Sequence, residues 1–138
     1  MARRHLLWGW TALLVYLTFG VFLETLHGFK AGFYLDVGNE ARRLMWRLAH
    51  AHGTLLGVLH VIYGLTVKAM PEAGDALASI CLLAALVLVP LGFFLGGVVT
   101  NAGDPGVMVF VVPPGAVALV IGVGLTIRAI ARSRVADT

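Results

Sequence analysis

Four long apolar runs, at about residues 6–28, 48–69, 76–99 and 107–129, leave this chain little sequence from which to build a water-facing surface. A bilayer core about 30 Å thick needs about 20 apolar residues at a helical rise of about 1.5 Å each, and every run meets that length. Hydrophobic residues make up 59% of the 138 positions and charged residues 12%, with a mean hydropathy of +0.93, which excludes an ordinary soluble domain of this size. The expected fold is all-α: one polytopic membrane domain over residues 1–138, a four-transmembrane-helix up-and-down bundle whose first partner is the lipid bilayer. Short links between successive spans imply antiparallel neighbours. Pro71 to Asp75 is one such link, and Thr100 to Gly106 is another, rich in turn residues.

The ten Lys and Arg flank the runs and act as topology signals, so the net charge of +3 is no nucleic-acid footprint. Arg3, Arg4, Lys68, Arg128, Arg132 and Arg134 fall on one side, and Lys30, Arg42, Arg43 and Arg47 on the other. The larger group marks the cytoplasmic face, which puts both termini in the cytoplasm of a bacterial inner membrane. The start, Met1 to His5 followed by an apolar stretch to Leu23, has the look of a signal peptide without a small-x-small cleavage site, and is read as an uncleaved first helix. Between Lys30 and Arg47 the second half reads as an interfacial helical lead-in to the second span. Cys81, alone and inside an apolar run, forms no intramolecular disulfide and reads as a small buried residue.

Lipid gives helices no hydrophobic reason to associate, so contact needs small residues. Gly53, Gly57 and Gly64 supply them on the second span, Gly92, Gly96 and Gly97 on the third, and Gly115, Ala118 and Gly122 on the fourth. Pro90 and the Pro113-Pro114 pair should kink or locally unwind the third and fourth spans.

Ionisable side chains inside spans are costly and mark function by default. Here they are Glu24, His27, His50, His52 and His60. Glu24 and His27 close the first span and His50 and His52 open the second, so four of the five share one depth near the outer face. Asn101 and Asp104 should reach the same face through the third connection. Glu24 and His27, three apart, share a helix face and suit one metal or one shared proton. A di-iron carboxylate site would need further glutamates, and no other span has one. His50 and His52 project about 200° apart on a regular helix, so one should face the first span and the other a different helix or a neighbouring subunit. His60 lies about 20 Å along its helix, where no other histidine is expected, and should hydrogen-bond across the bundle, with Tyr63 nearby. The half of the molecule around it reads as plain apolar packing.

Several chemistries fit this constellation. His27 with His50 or His52 could be the two axial ligands of a non-covalent haem b. Glu24, His27, His50 and His52 could instead hold copper or zinc, since imidazole suits both. The same residues could serve as interhelical links in a cofactor-free accessory or assembly subunit of a larger membrane complex, or in a homo-oligomer, or they could line a proton path. No nucleophile with a base beside it is visible, so no catalytic residue is assigned.

The segment His50-Ala-His52-Gly-Thr-Leu-Leu56-Gly57, preceded by Gly20-Val-Phe-Leu-Glu24, resembles that of a group of small four-helix bacterial membrane proteins. Their H-x-H-x-x-x-L-G stretch is in turn similar to one in proteins distantly related to the haem-copper oxidase catalytic subunit. The resemblance implies a four-helix membrane fold and haem or metal binding by His50 and His52. It does not extend to the fourth span, which has no histidine or carboxylate for an oxygen-reducing site. A weaker similarity is to the trimeric four-helix membrane enzymes of glutathione and eicosanoid metabolism, although Gly53 and Leu56 stand where those enzymes carry polar residues.

Overall fold

A computed structural model describes residues 1–36, 38, 40–100 and 103–136, with side chains as far as Arg132. Among the described residues there are five α-helices: α1 (Ala2–Gly28), α2 (Gly32–Leu35), α3 (Glu40–Ala69), α4 (Ala76–Val98) and α5 (Val112–Ala136). Short 3-10 turns at Pro71–Ala73 and Val107–Val111 precede α4 and α5. The segments Ala2–Gly28, Glu40–Ala69, Ala76–Val98 and Val107–Arg132 are long and apolar enough to cross a membrane. Large apolar side chains stay exposed along them, among them Leu14 on α1 and Val120 on α5, which is compatible with helices that cross a membrane.

Successive long helices pack as antiparallel neighbours in the order α1, α3, α4, α5. Among the described residues α1 and α5 share no comparable interface, so they flank a central α3–α4 pair. Ala12, Leu56, Leu86 and Val89 form the middle of the core, with Val112 and Leu119 of α5 packed against it. Tyr63, Val67 and Leu82 continue the core toward the end where α1 begins.

The α1–α3 seam is set by glycine. A methyl group on Gly9 would stand 2.8 Å from the Gly57 carbonyl oxygen and from Val61, so the two backbones are in direct contact. One on Gly53 would fall inside the Tyr16 ring, and one on Gly64 would meet Leu6 at 2.9 Å. This register runs the whole length of α1. It begins at Ala2, earlier than the hydropathy suggests, because Arg4 and His5 are taken into the helix and find polar partners inside.

Helix ends are closed by local chemistry. At the end of α1 the Ala31 N–H reaches the Leu26 carbonyl and the Lys30 N–H reaches that of His27, with Lys30 left-handed at φ 51°, the pattern of a Schellman cap. Asp75 caps α4 through its carboxylate, which accepts from the Ala78 N–H at 2.8 Å. At the far end of α4, Gly97 and Phe94 carbonyls accept from Arg42 Nε and Trp46 Nε1, each at 3.2 Å, and the Gly106 N–H donates to the Gly96 carbonyl. The first turns of α3 therefore satisfy the last carbonyls of α4. As expected from the sequence, the stretch after Glu40 is helical, but it is continuous with the span. The resulting 30-residue helix is about 45 Å long, well beyond a bilayer core.

The prolines differ from one another. Pro90 lies inside α4, where it has no N–H to offer the carbonyl one turn back. Pro113 and Pro114 lie in the first turn of α5 and not in its interior, since the fourth span opens as the 3-10 turn Val107–Val111. A first turn accepts proline because its N–H groups have no intrahelical partners.

Because Gly9 touches backbone that cannot yield, Gly9→Val should cost about 1–3 kcal/mol in unfolding measured in detergent. Gly124→Ala, where an added methyl meets nothing, should leave stability unchanged or slightly raised.

Candidate functional site

The expected convergence near one end of the bundle is present in part. A cavity of about 770 Å³ opens between the end of α1, the turn α2 and the start of α3, and Glu24, His27, Tyr34, Arg47 and His50 all line it. Leu17, Val21 and Leu23 give it an apolar wall. Glu24 and His27 arrive from one face of α1, and Arg47 and His50, also three apart, from one face of α3. Although they share the cavity, Glu24 and Arg47 form no ion pair. Among the described residues the one salt bridge joins Arg43 to Glu40 on α3, at 3.2 Å.

His50 is held in one orientation. Its Nδ1 lies 2.7 Å from the Tyr16 carbonyl oxygen. A carbonyl only accepts, so Nδ1 carries the hydrogen, and in the neutral ring Nε2 is left with a free lone pair. The ring lies directly over Gly20, where any side chain would overlap the imidazole. Tyr16 bends its own ring over Gly53, so two glycines and one carbonyl fix this histidine.

His52 belongs elsewhere. Its ring packs 4.9 Å from that of Phe93 on α4, and its Nδ1 donates to the Leu48 carbonyl of its own helix at 2.9 Å. His50 therefore faces α1 and His52 faces α4, on opposite sides of one helix. The structure brings Glu24, His27 and His50 to one cavity and leaves His52 out. Among the described residues no three His, Cys, Asp or Glu side chains are placed to hold one metal ion. Asp104 is exposed and does not line the cavity, and Asn101 lies outside the described residues. One turn along α3 from His50, the hydroxyl oxygen of Thr54 is enclosed without a partner.

Aromatic packing supports the cavity from behind. Trp46 stacks on Tyr34 and Phe94, with ring centroids 6.2 and 5.8 Å away, and meets the edge of Phe19. Tyr34 is 2% exposed, so the single turn of α2 is pinned by this one side chain.

The opposite end of the bundle requires a correction. It is not plain apolar packing, and His60 is not the only histidine at its depth. His5 of α1 and His60 of α3 are both fully buried, with Nδ1 atoms 2.8 Å apart and rings stacked at 15°. His5 Nε2 lies 2.6 Å from Ser79 Oγ of α4, which also accepts from Arg4, and His60 Nε2 lies 3.1 Å from the Leu82 carbonyl. His60 thus does bond across the bundle. Tyr63 is involved indirectly: its ring meets His5 edge-on, and its hydroxyl donates to the Asp75 carbonyl at 3.2 Å. His5 escaped notice because it follows two arginines and reads as part of a topology signal. The signal that could have found it is register: an antiparallel α1–α3 hairpin joined near residues 30–40 sets position 5 opposite position 60.

If the Gly20 gap is what seats His50, Gly20→Ala should displace the ring and free it from Tyr16. The ¹⁵N spectrum of His50 should then lose its fixed Nδ1–H tautomer, whereas Gly28→Ala, with open space around it, should preserve it.

No protein-family model, curated protein or solved structure matches the chain.

Proposed function

We propose that this chain is an integral protein of the bacterial inner membrane, with both termini in the cytoplasm, and that its α1–α3 cavity holds a haem b between His27 and His50. The observation that carries the reading is the His50 tether. Nδ1–H is bound to the Tyr16 carbonyl and the Nε2 lone pair is left over, in a cavity that His27 enters from the neighbouring helix. Ligating histidines characteristically spend their second nitrogen on such an acceptor, which fixes both ring and tautomer. The apolar wall of Leu17, Val21 and Leu23 suits a macrocycle, and Arg47 and Tyr34 offer a cation and a hydroxyl to its carboxylates. When bound, a haem supplies one-electron redox chemistry.

Ligand count favours haem over a bare copper or zinc ion. A haem needs no more than two protein ligands, and the cavity offers two histidines on two helices. Glu24, His27, His50 and His52 together would have been a metal-ion set, but His52 faces α4 and no group of three is assembled among the described residues.

A second reading has its own support. His50 and His52 each give a ring nitrogen to a backbone carbonyl, as residues that only lock helices would. On that reading the chain is a cofactor-free accessory subunit of a larger membrane complex, or a homo-oligomer.

Absorbance and metal analysis of the purified chain separate these readings. Haem binding predicts a Soret band that His27→Ala and His50→Ala each abolish or convert, and that His52→Ala leaves in place. Stoichiometric copper or zinc without a Soret band would replace haem with a metal ion. A colourless, metal-free protein that co-purifies with a larger assembly would leave the accessory role.

A further inference from the structure

The four polar side chains at the other end of the bundle admit one assignment of hydrogens. The Leu82 carbonyl can only accept, so His60 Nε2 carries a hydrogen and, in the neutral ring, His60 Nδ1 is a lone pair. The 2.8 Å contact between the two Nδ1 atoms needs one hydrogen, which must then sit on His5. His5 Nε2 is in consequence a lone pair and accepts from the Ser79 hydroxyl, whose oxygen accepts from Arg4. Direction is thus fixed from Arg4 through Ser79, His5 and His60 to Leu82, and every ring nitrogen is satisfied. Reversing either ring would set a lone pair against an acceptor.

We propose that the His5–His60 pair is a binding site for a single proton, buried between the helices and reached from the Arg4–Ser79 side. The added proton forms an N–H bond at His5 Nε2, and no electron changes hands. Ser79 turns its own hydrogen away, toward the Ala76 carbonyl three residues back on α4, since that of Asp75 already accepts twice, and its oxygen accepts from both His5 and Arg4. The positive charge is shared with His60 across the Nδ1–H···Nδ1 bond. A second proton has no place, because two N–H groups would then confront each other in a gap that holds one hydrogen. Nor does the site conduct: past His60 the chain of donors ends on a main-chain carbonyl of α4.

The groups around the pair set this direction of access. From α1 come Arg4 and the Met1 amine, whose charges act on His5. From α3 comes Tyr63, edge-on to His5, and from the start of α4 come Asp75 and Ser79, with Glu72 in the preceding turn. On the α5 side the packing is apolar, with Leu119 and Gly122 against Leu82. Met1 and Arg4 also line a cavity of about 340 Å³ with Ala76 and Ile80, at the Arg4 end of the series. Intramembrane ionisable residues that are paired and buried are where a membrane protein handles charge. This inference is independent of whether the other cavity binds haem.

A pH titration of the full chain, ¹⁵N-labelled at histidine and held in phospholipid nanodiscs, tests it. In alkaline solution His5 should show Nδ1–H and His60 Nε2–H. On acidification both rings should respond with one common midpoint and together take up one proton. Ser79→Ala should move the midpoint of both rings, since each reports the same shared proton. In His60→Gln, His5 should titrate alone with a changed midpoint. The opposite tautomers, separate midpoints, uptake of two protons, or none before unfolding would each overturn the site. So would a Ser79→Ala shift confined to His5. Proton flux into liposomes that His60→Gln abolishes would overturn the dead end.

Discussion

The direct backbone contact of α1 with α3, centred on Gly9 and Gly57, is the interaction on which the rest of this structure depends. For a helix as long and apolar as α1, lipid would offer no gain from removing leucine from water, which would leave close packing and polar bonds to hold it. Glycine provides the first by letting main chain meet main chain. Once that contact is made, the antiparallel register is set over the full length of both helices, and the polar side chains of α1 can meet only particular residues of α3.

Two polar sites follow from that one register, and they sit at opposite ends. At one, Tyr16 offers its carbonyl to His50 while Glu24 and His27 turn into the same cavity. At the other, His5 meets His60, and α4 joins through Ser79 and Leu82. The first has an open cavity and leaves the Nε2 of His50 unspent. The second is closed, and every ring nitrogen in it has a partner. Burial without hydrogen bonding would be costly, and in each site a backbone carbonyl, that of Tyr16 in the first and of Leu82 in the second, accepts from a histidine.

The central α3–α4 pair is stapled differently. Arg42 and Trp46 reach across to carbonyls in the last turns of α4, and Trp46 also gathers Phe19, Tyr34 and Phe94 around itself. The same side chain therefore closes a helix end and supports the floor of the candidate site. Flanked in this way, α5 needs little more than shape. Gly115 and Gly122 let it settle against Leu88, Val89 and Leu82 of α4.

Hydropathy and length alone determined that there would be four long apolar helices, because the cost of unpaired peptide groups in hydrocarbon leaves no other arrangement for such runs. Helical periodicity also separated His50 from His52 and brought Glu24 and His27 to one face, since those are properties of a single helix. What faced what was decided by tertiary structure. His5 looked like part of a charged leader until the glycine seam put it opposite His60. Which of His50 and His52 would face α1 stayed open until α4 took His52 against Phe93. Ser79 and Leu82 gave no sign in the sequence, because a lone serine and a main-chain carbonyl acquire a role only from what packs against them. Register between helices is a sum of many small contacts, and no single stretch of sequence carries it.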